Sequence, residues 1–173
     1  MNINRRTVLR GVSAIALGGL QPVGAAIAQE KPDLVLGASL PLTGFFGSTS
    51  GAVNVGMRDY VAYINEKGGI AGRKVRYEVE DTGYKVDVSV SVFNKITAKD
   101  KVHLYYADST GFAKVIGPDL VRKGDVLMGG NSFATELNDP AKFPFYFMSG
   151  PDYSEVVKGL LRYIAKEQPK AKV

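Results

Sequence analysis

The sequence predicts an α/β domain: an open, mostly parallel sheet with helices on both faces. Two observations predict it. Short apolar runs alternate along the chain with segments whose apolar residues recur at helical spacing. In addition, Tyr60 to Asp81 reads as the end of an amphipathic helix, a glycine stop, a tight turn and a strand that ends on acid. A helix handed so abruptly to a strand marks an α/β unit.

The elements follow in order. Leu34–Ser39 is a buried-strand run. After a loop, a helix is expected from about Ala52 to Lys67, with Met57, Val61 and Ile64 on one apolar face. Gly68 and Gly69 supply the positive φ that a helix end commonly needs, and Gly72 supports a second turn before the strand Val75–Glu80. Val86–Val92 alternates with period two, yet Val88, Val92 and Ile96 also share a helical face. A crossover between parallel strands is needed here, so the segment is assigned as helix. Val102–Tyr106 is the third strand, followed by a helical stretch broken near Pro118. Val126–Met128 is the fourth strand and Phe145–Met148 the fifth. Asp152 opens a long helix with Glu155 three residues on, a capping-box arrangement, and Val156, Val157, Leu160, Leu161 and Ile164 make its apolar face.

Residues 1–28 read as an export signal rather than as part of this fold. A basic start (Arg5, Arg6, Arg10) precedes an apolar run from Val12 to Leu20 and an Ala26-Ile27-Ala28 cleavage site. That run is too short and glycine-rich for a membrane span. The paired arginines with Val8 and Leu9 resemble a twin-arginine signal, and an ordinary secretory signal stays open. The formal charge of +5 includes three leader arginines, which leaves +2 on residues 29–173. Lysine and arginine are scattered among acids, so no nucleic-acid partner is expected. No cysteine is present, which excludes disulfides, thiol catalysis and a lipid-modified cysteine. The expectation is a soluble, exported, periplasmic protein of one domain.

In an open parallel sheet, ligands sit beyond the carboxyl ends of the strands where strand order reverses. Three loops leave such ends: Leu40–Ser50, Ala107–Phe112 and Gly129–Ala134. Each mixes small hydroxyl residues, glycine and phenylalanine. Backbone N–H groups at a helix start suit a carboxylate or another acceptor, and the phenylalanines suit an apolar wall. Each loop also has a plain structural reading: Ser109 and Thr110 cap their own helix, and Thr43-Gly44 turns the chain. Convergence of three such loops favours a ligand pocket.

Asn65-Glu-Lys-Gly-Gly-Ile-Ala-Gly72 resembles the Asn-x-x-Gly-Gly-Ile-x-Gly signature of type I periplasmic solute-binding proteins, the Leu/Ile/Val-binding group that serves ABC importers. The resemblance extends from Leu34 to Val173 and includes Leu40-Pro-Leu-Thr-Gly44, Asp81 and Glu136-Leu137. It implies a Rossmann-like first lobe and an inner-membrane ABC permease as partner. It also implies no cofactor, and a monomer at full length. It further implies that Ser109 and Thr110, then Asn131, Ser132 and Phe133, hold the polar head of a small solute. Thr49 falls near a position that often carries an aromatic contact, with Phe45 and Phe46 close by and Phe112 as a further wall. That departure leaves amides, urea and aliphatic or aromatic acids open beside branched-chain amino acids. The resemblance also implies two lobes. Residues 29–173 match the first lobe, and Lys170–Val173 reads as the start of the next strand.

Other classes fare worse. Gly130–Ala134 faintly resembles a nucleophile elbow, but the single histidine, His103, lies upstream inside a predicted strand. Glycine-rich phosphate motifs and metal-ligand spacings are missing, so neither an enzyme nor a metal site is expected. A periplasmic sensor of the same fold and a fragment without independent activity stay open as alternatives.

Overall fold

The computed structural model describes residues 31–172, and the export-signal reading of residues 1–28 lies outside them. The described chain runs β1 (Leu34–Leu40), α1 (Gly47–Glu66), β2 (Val75–Asp81), α2 (Val86–Lys99), β3 (Val102–Ala107), α3 (Thr110–Lys123), β4 (Leu127–Gly130), a 3-10 turn (Thr135–Leu137) and α4 (Tyr153–Glu167). The four strands are all parallel, in the order β2-β1-β3-β4. The expected open parallel α/β sheet is therefore present.

The two faces are set by strand parity. Val35 and Tyr105 point into a core with Phe93 and Ile96 of α2, Phe112, Ile116 and Leu120 of α3, and Met128 of β4. Tyr105 is fully buried, 4.9 Å edge-on from Phe93 and 6.2 Å from Phe112. Leu36 and its register partner Tyr77 lie on the opposite face, where Arg58 of α1 sits over the Tyr77 ring. The pairing slips by one residue between Val35–Val102 and Leu36–Leu104. This bulge lets both Val102 and Tyr105 reach the core and leaves His103 exposed at the slip, its Nδ1 3.4 Å from the Asp125 carbonyl.

The glycine signature does the work expected of it. Gly69 N–H donates to the Ile64 carbonyl at 2.9 Å and Gly68 N–H to the Asn65 carbonyl at 3.2 Å, the two bonds of a Schellman cap. Gly69 has φ +76°, and a Cβ there would lie 2.0 Å from the Arg73 carbonyl oxygen, so only glycine fits. The Asn65 carboxamide accepts from Val75 N–H and donates to the Val75 carbonyl, both at 2.8 Å. One side chain thus welds the end of α1 to the first residue of β2.

Four expectations are corrected. α1 starts at Gly47, five residues before Ala52, because the Phe46 carbonyl already accepts from Ser50 and Ser50 is buried. α3 runs unbroken through Pro118; Gly117 has no Cβ to meet the proline ring, which relieves the usual clash before proline. Phe145–Met148 forms no strand. It makes one parallel bridge, with Met128 N–H donating to Phe145 and Phe147 N–H to Met128, beside the turn at Asp139–Phe143. Lys170–Lys172 forms no strand either, and Val173 lies outside the described residues. At α4 the Asp152 carboxylate caps Glu155 N–H at 3.0 Å as expected, but no residue of the helix is buried. Val156, Val157 and Leu160 are each more than half exposed, so the apolar stripe has no cover within the described residues.

Candidate functional site

The site begins with topology. β1 and β3 are neighbours, yet α1 leaves β1 toward one face while α3 leaves β3 toward the other. Their carboxyl ends flank the point where an open parallel sheet makes its crevice.

On the β1–β2 side, Asp81 ends β2 and draws in the loop after β1. Its Oδ1 accepts from Leu42 N–H at 2.8 Å, Thr43 N–H at 3.2 Å and Gly83 N–H at 2.9 Å, and its Oδ2 accepts from the Thr43 hydroxyl at 2.6 Å. Those donors, the Thr43 hydroxyl foremost, hold the Asp81 carboxyl below the usual carboxylate range. Above them Phe46 packs on Tyr84 at 4.4 Å, and Phe45 meets Phe46 edge-on at 5.1 Å while 94% exposed. Thr49 lies exposed in the first turn of α1.

On the β3–β4 side, Thr110 Oγ1 lies 2.6 Å from Ser132 Oγ, joining the loop after β3 to the loop after β4. Ser132 is buried, and its carbonyl accepts from the Tyr146 hydroxyl at 2.9 Å; burial pushes that hydroxyl up to about 12. Asn131 N–H donates to the Ala107 carbonyl at 3.1 Å, and its side-chain Oδ1 accepts from the Tyr106 hydroxyl at 2.6 Å. Gly130 makes this approach possible, since a Cβ there would lie 2.1 Å from the Ala107 carbonyl oxygen.

The two sides are linked through Asp108. It is buried, and its Oδ2 accepts from the Thr82 hydroxyl at 2.5 Å and the Ser89 hydroxyl at 2.9 Å. Thr82 follows β2 and Asp108 follows β3, so this bond spans the end of β1, which lies between them. Thr82 N–H also donates to the last carbonyl of β1, at Leu40, at 2.9 Å.

The expected residues therefore separate. Thr110, Asn131 and Ser132 come together, and Phe45 and Phe46 line the neighbouring rim with Tyr84. Ser109 is spent on its own helix, its hydroxyl accepting from Phe112 N–H at 3.2 Å. Phe133 turns toward the start of α4, 6.4 Å from the Tyr153 ring, and its carbonyl accepts from Tyr153 N–H at 2.9 Å. Phe112 is a correction: it is fully buried between Phe93 and Tyr105 and belongs to the core, not to a pocket wall. Sequence reasoning did not single out Tyr106, Tyr146 or Thr82, and held Asp108 only as part of the Ala107–Phe112 loop. Asp108 carried a usable signal, an acid at a strand end directly before a Ser-Thr pair. The tyrosines carried none, because strand aromatics ordinarily read as core. A cleft of about 360 Å³ lined by Arg73, Arg76, Asp100 and His103 lies at the opposite edge, where the strands begin.

Carboxyl-edge loops tied together around a switch point, with hydroxyl, amide and aromatic groups there, are the arrangement in which open parallel sheets generally hold small-molecule ligands. The sequence matches the family described as Periplasmic binding protein over residues 23–173, and the chain belongs to that family. Membership places it among binding proteins rather than enzymes. Solved structures agree in fold. A branched chain amino acid ABC transporter protein from Thermus thermophilus with bound valine superposes with a TM-score of 0.71 at 23% identity, over 80% of this chain and 36% of that one. A fatty acid ABC transporter substrate-binding protein from Thermomonospora curvata gives 0.69 at 16%, over 79% and 34%. An ABC transporter substrate-binding protein from Aeropyrum pernix gives 0.71 at 19%, over 80% and 36%. The chain thus spans about a third of the length of these structures. No curated protein matches the sequence. Among the described residues no helix is long and apolar enough to cross a membrane.

Proposed function

We propose that residues 29–173 form the first lobe of a two-lobed periplasmic solute-binding protein that feeds an ABC importer, with residues 1–28 as its export signal. The observation that carries this reading is the joining of Thr110 to Ser132 and of Thr43 to Asp81 at one sheet edge, beside the switch point. The solute is a small molecule with an acceptor head group. Its head meets Thr110 and Asn131 and the free N–H groups at the start of α3, the buried Ser132 holding the Thr110 hydroxyl in place, while Phe45, Phe46 and Thr49 border its tail. Valine and a fatty acid, named for two structural relatives, both carry a carboxylate on an apolar tail, which supports that division. Binding is without chemistry on the solute, and the inner-membrane partner is the permease.

A binding protein of this kind closes two lobes around its ligand, so a single lobe lacks half the contacts. The first lobe alone therefore binds at millimolar strength or weaker, about −4 kcal/mol at most. Thermal-shift screening of the whole gene product against amino acids, amides, urea and aliphatic or aromatic acids tests the proposal. At least one class should raise the melting temperature by several degrees; no shift with any of them would contradict it.

A further inference from the structure

Asn131 is the exposed polar residue at the turn that leaves β4, and its backbone has little freedom. Its N–H is tied to the Ala107 carbonyl, and the preceding Gly130 sits so close to β3 that no side chain is tolerated there. What remains to be set is the direction of its carboxamide. An amide has an acceptor end and a donor end, and a free side chain presents either to a ligand. Here the acceptor end is engaged: the Tyr106 hydroxyl, on the penultimate residue of β3, donates to Oδ1 at 2.6 Å and takes one of its two lone pairs. Tyr106 is half-buried, and burial raises its pKa, so the hydroxyl keeps its proton throughout the physiological range. The Nδ2 end, with both of its N–H donors, is then the end turned away from Tyr106 and toward a ligand.

We propose that Tyr106 is a positioning residue for solute binding: it fixes the Asn131 carboxamide so that Nδ2 donates to an acceptor, a carboxylate or carbonyl, on the ligand. This rests on the reading of the carboxyl-edge loops as the solute site. It makes Asn131 selective. With Oδ1 engaged by Tyr106, the amide turns its N–H donors outward, which favours an acceptor head group over one that only donates, such as an ammonium. Tyr106 itself need not touch the solute.

The test is a ¹H–¹⁵N NMR titration of the 173-residue chain, following both backbone amides and the Asn131 Nδ2 pair. Two probes are used: isovalerate, which has a carboxylate on an apolar tail, and isobutylamine, which has no acceptor. Isovalerate should move the Asn131 Nδ2 signals and isobutylamine should not. Tyr106→Phe keeps the ring and removes only the hydroxyl. It should weaken the isovalerate response about fivefold and make the Asn131 amide more mobile, with the melting temperature nearly unchanged. Asn131→Asp retains an oxygen for Tyr106 but replaces the donor, and should abolish the response. If backbone amides of residues 109–112 respond while the Asn131 Nδ2 signals stay still, or if Tyr106→Phe titrates like the parent, the proposal falls and the solute-site reading stands. If no carboxyl-edge resonance moves at tens of millimolar isovalerate, both fall.

Discussion

The Thr110 hydroxyl lies 2.6 Å from the Ser132 hydroxyl, so the loops that follow β3 and β4 meet through a single side-chain hydrogen bond. Ser132 is almost completely buried and Thr110 only partly so. Ser132→Ala therefore leaves Thr110 able to turn to water, and the expected loss of stability is about 1 kcal/mol. The effect on solute binding should be larger, because Thr110 loses the partner that fixes its hydroxyl. Urea denaturation read beside a binding titration separates the two effects.

Asn65→Ala removes both bonds between the Asn65 carboxamide and the backbone of Val75, which is a buried residue. It leaves a β2 N–H and carbonyl to find other partners, and should cost about 1–3 kcal/mol. Hydrogen exchange should show the loss concentrated at the α1–β2 junction, with the β3 core amides still slow. A variant as stable as the parent would mean that the Schellman cap alone sets the junction.

Asp81 gives a prediction with a definite sign. Its folded-state pKa is depressed, first by the Thr43 hydroxyl and then by backbone donors at Gly83, Thr43 and Leu42. A depressed carboxyl contributes stability that is present above its unfolded pKa, about 3.9, and is lost as pH falls through the folded value. Asp81→Asn should flatten the acid limb of the stability curve below about pH 4. It should not abolish it, because Asp139 and Asp152 are also depressed, by Lys142 and by the α4 backbone respectively. Denaturation midpoints measured across that range for parent and variant provide the check; parallel curves would contradict the account.

Phe112 and Phe45 discriminate core from rim. Phe112 is fully buried against Phe93 and Tyr105, so Phe112→Ala should cost about 3–5 kcal/mol. Phe45 is 94% exposed, and Phe45→Ala should change stability by less than about 0.5 kcal/mol while altering binding of solutes with apolar tails. Thermal denaturation of both variants suffices for the first comparison.

These cases also show what was legible in the sequence. The helix–strand rhythm and the glycines at Gly68, Gly69 and Gly72 are local: backbone conformation demands them whatever the surroundings, so they announced the fold. Val86–Val92 was readable as helix only because parallel strands need a crossover. The loops at the carboxyl edge were readable as a group, since topology puts them there. Their individual roles were not. Whether Ser109 caps its helix or meets a solute, and whether Phe112 points in or out, depends on the phase of α3 against the sheet, which no local pattern states. The Tyr106–Asn131 and Thr82–Asp108 bonds join residues 25 and 26 positions apart in sequence, and such pairs appear only once the strands are ordered. The apolar stripe of α4 is legible as a stripe, but what covers it is not, and the described residues supply no cover.

The proposed solute site of this lobe lies at the carboxyl edge of the sheet. Mapping backbone amide shifts of the chain during titration with leucine, urea and benzoate tests it most directly. At least one solute should move amides within residues 43–49, 108–112 and 129–133, in fast exchange, with a dissociation constant of about 1 mM or weaker. Shifts clustered instead around Arg73, Arg76, Lys101 and His103 at the amino edge, or sub-micromolar binding by the lobe alone, would contradict it.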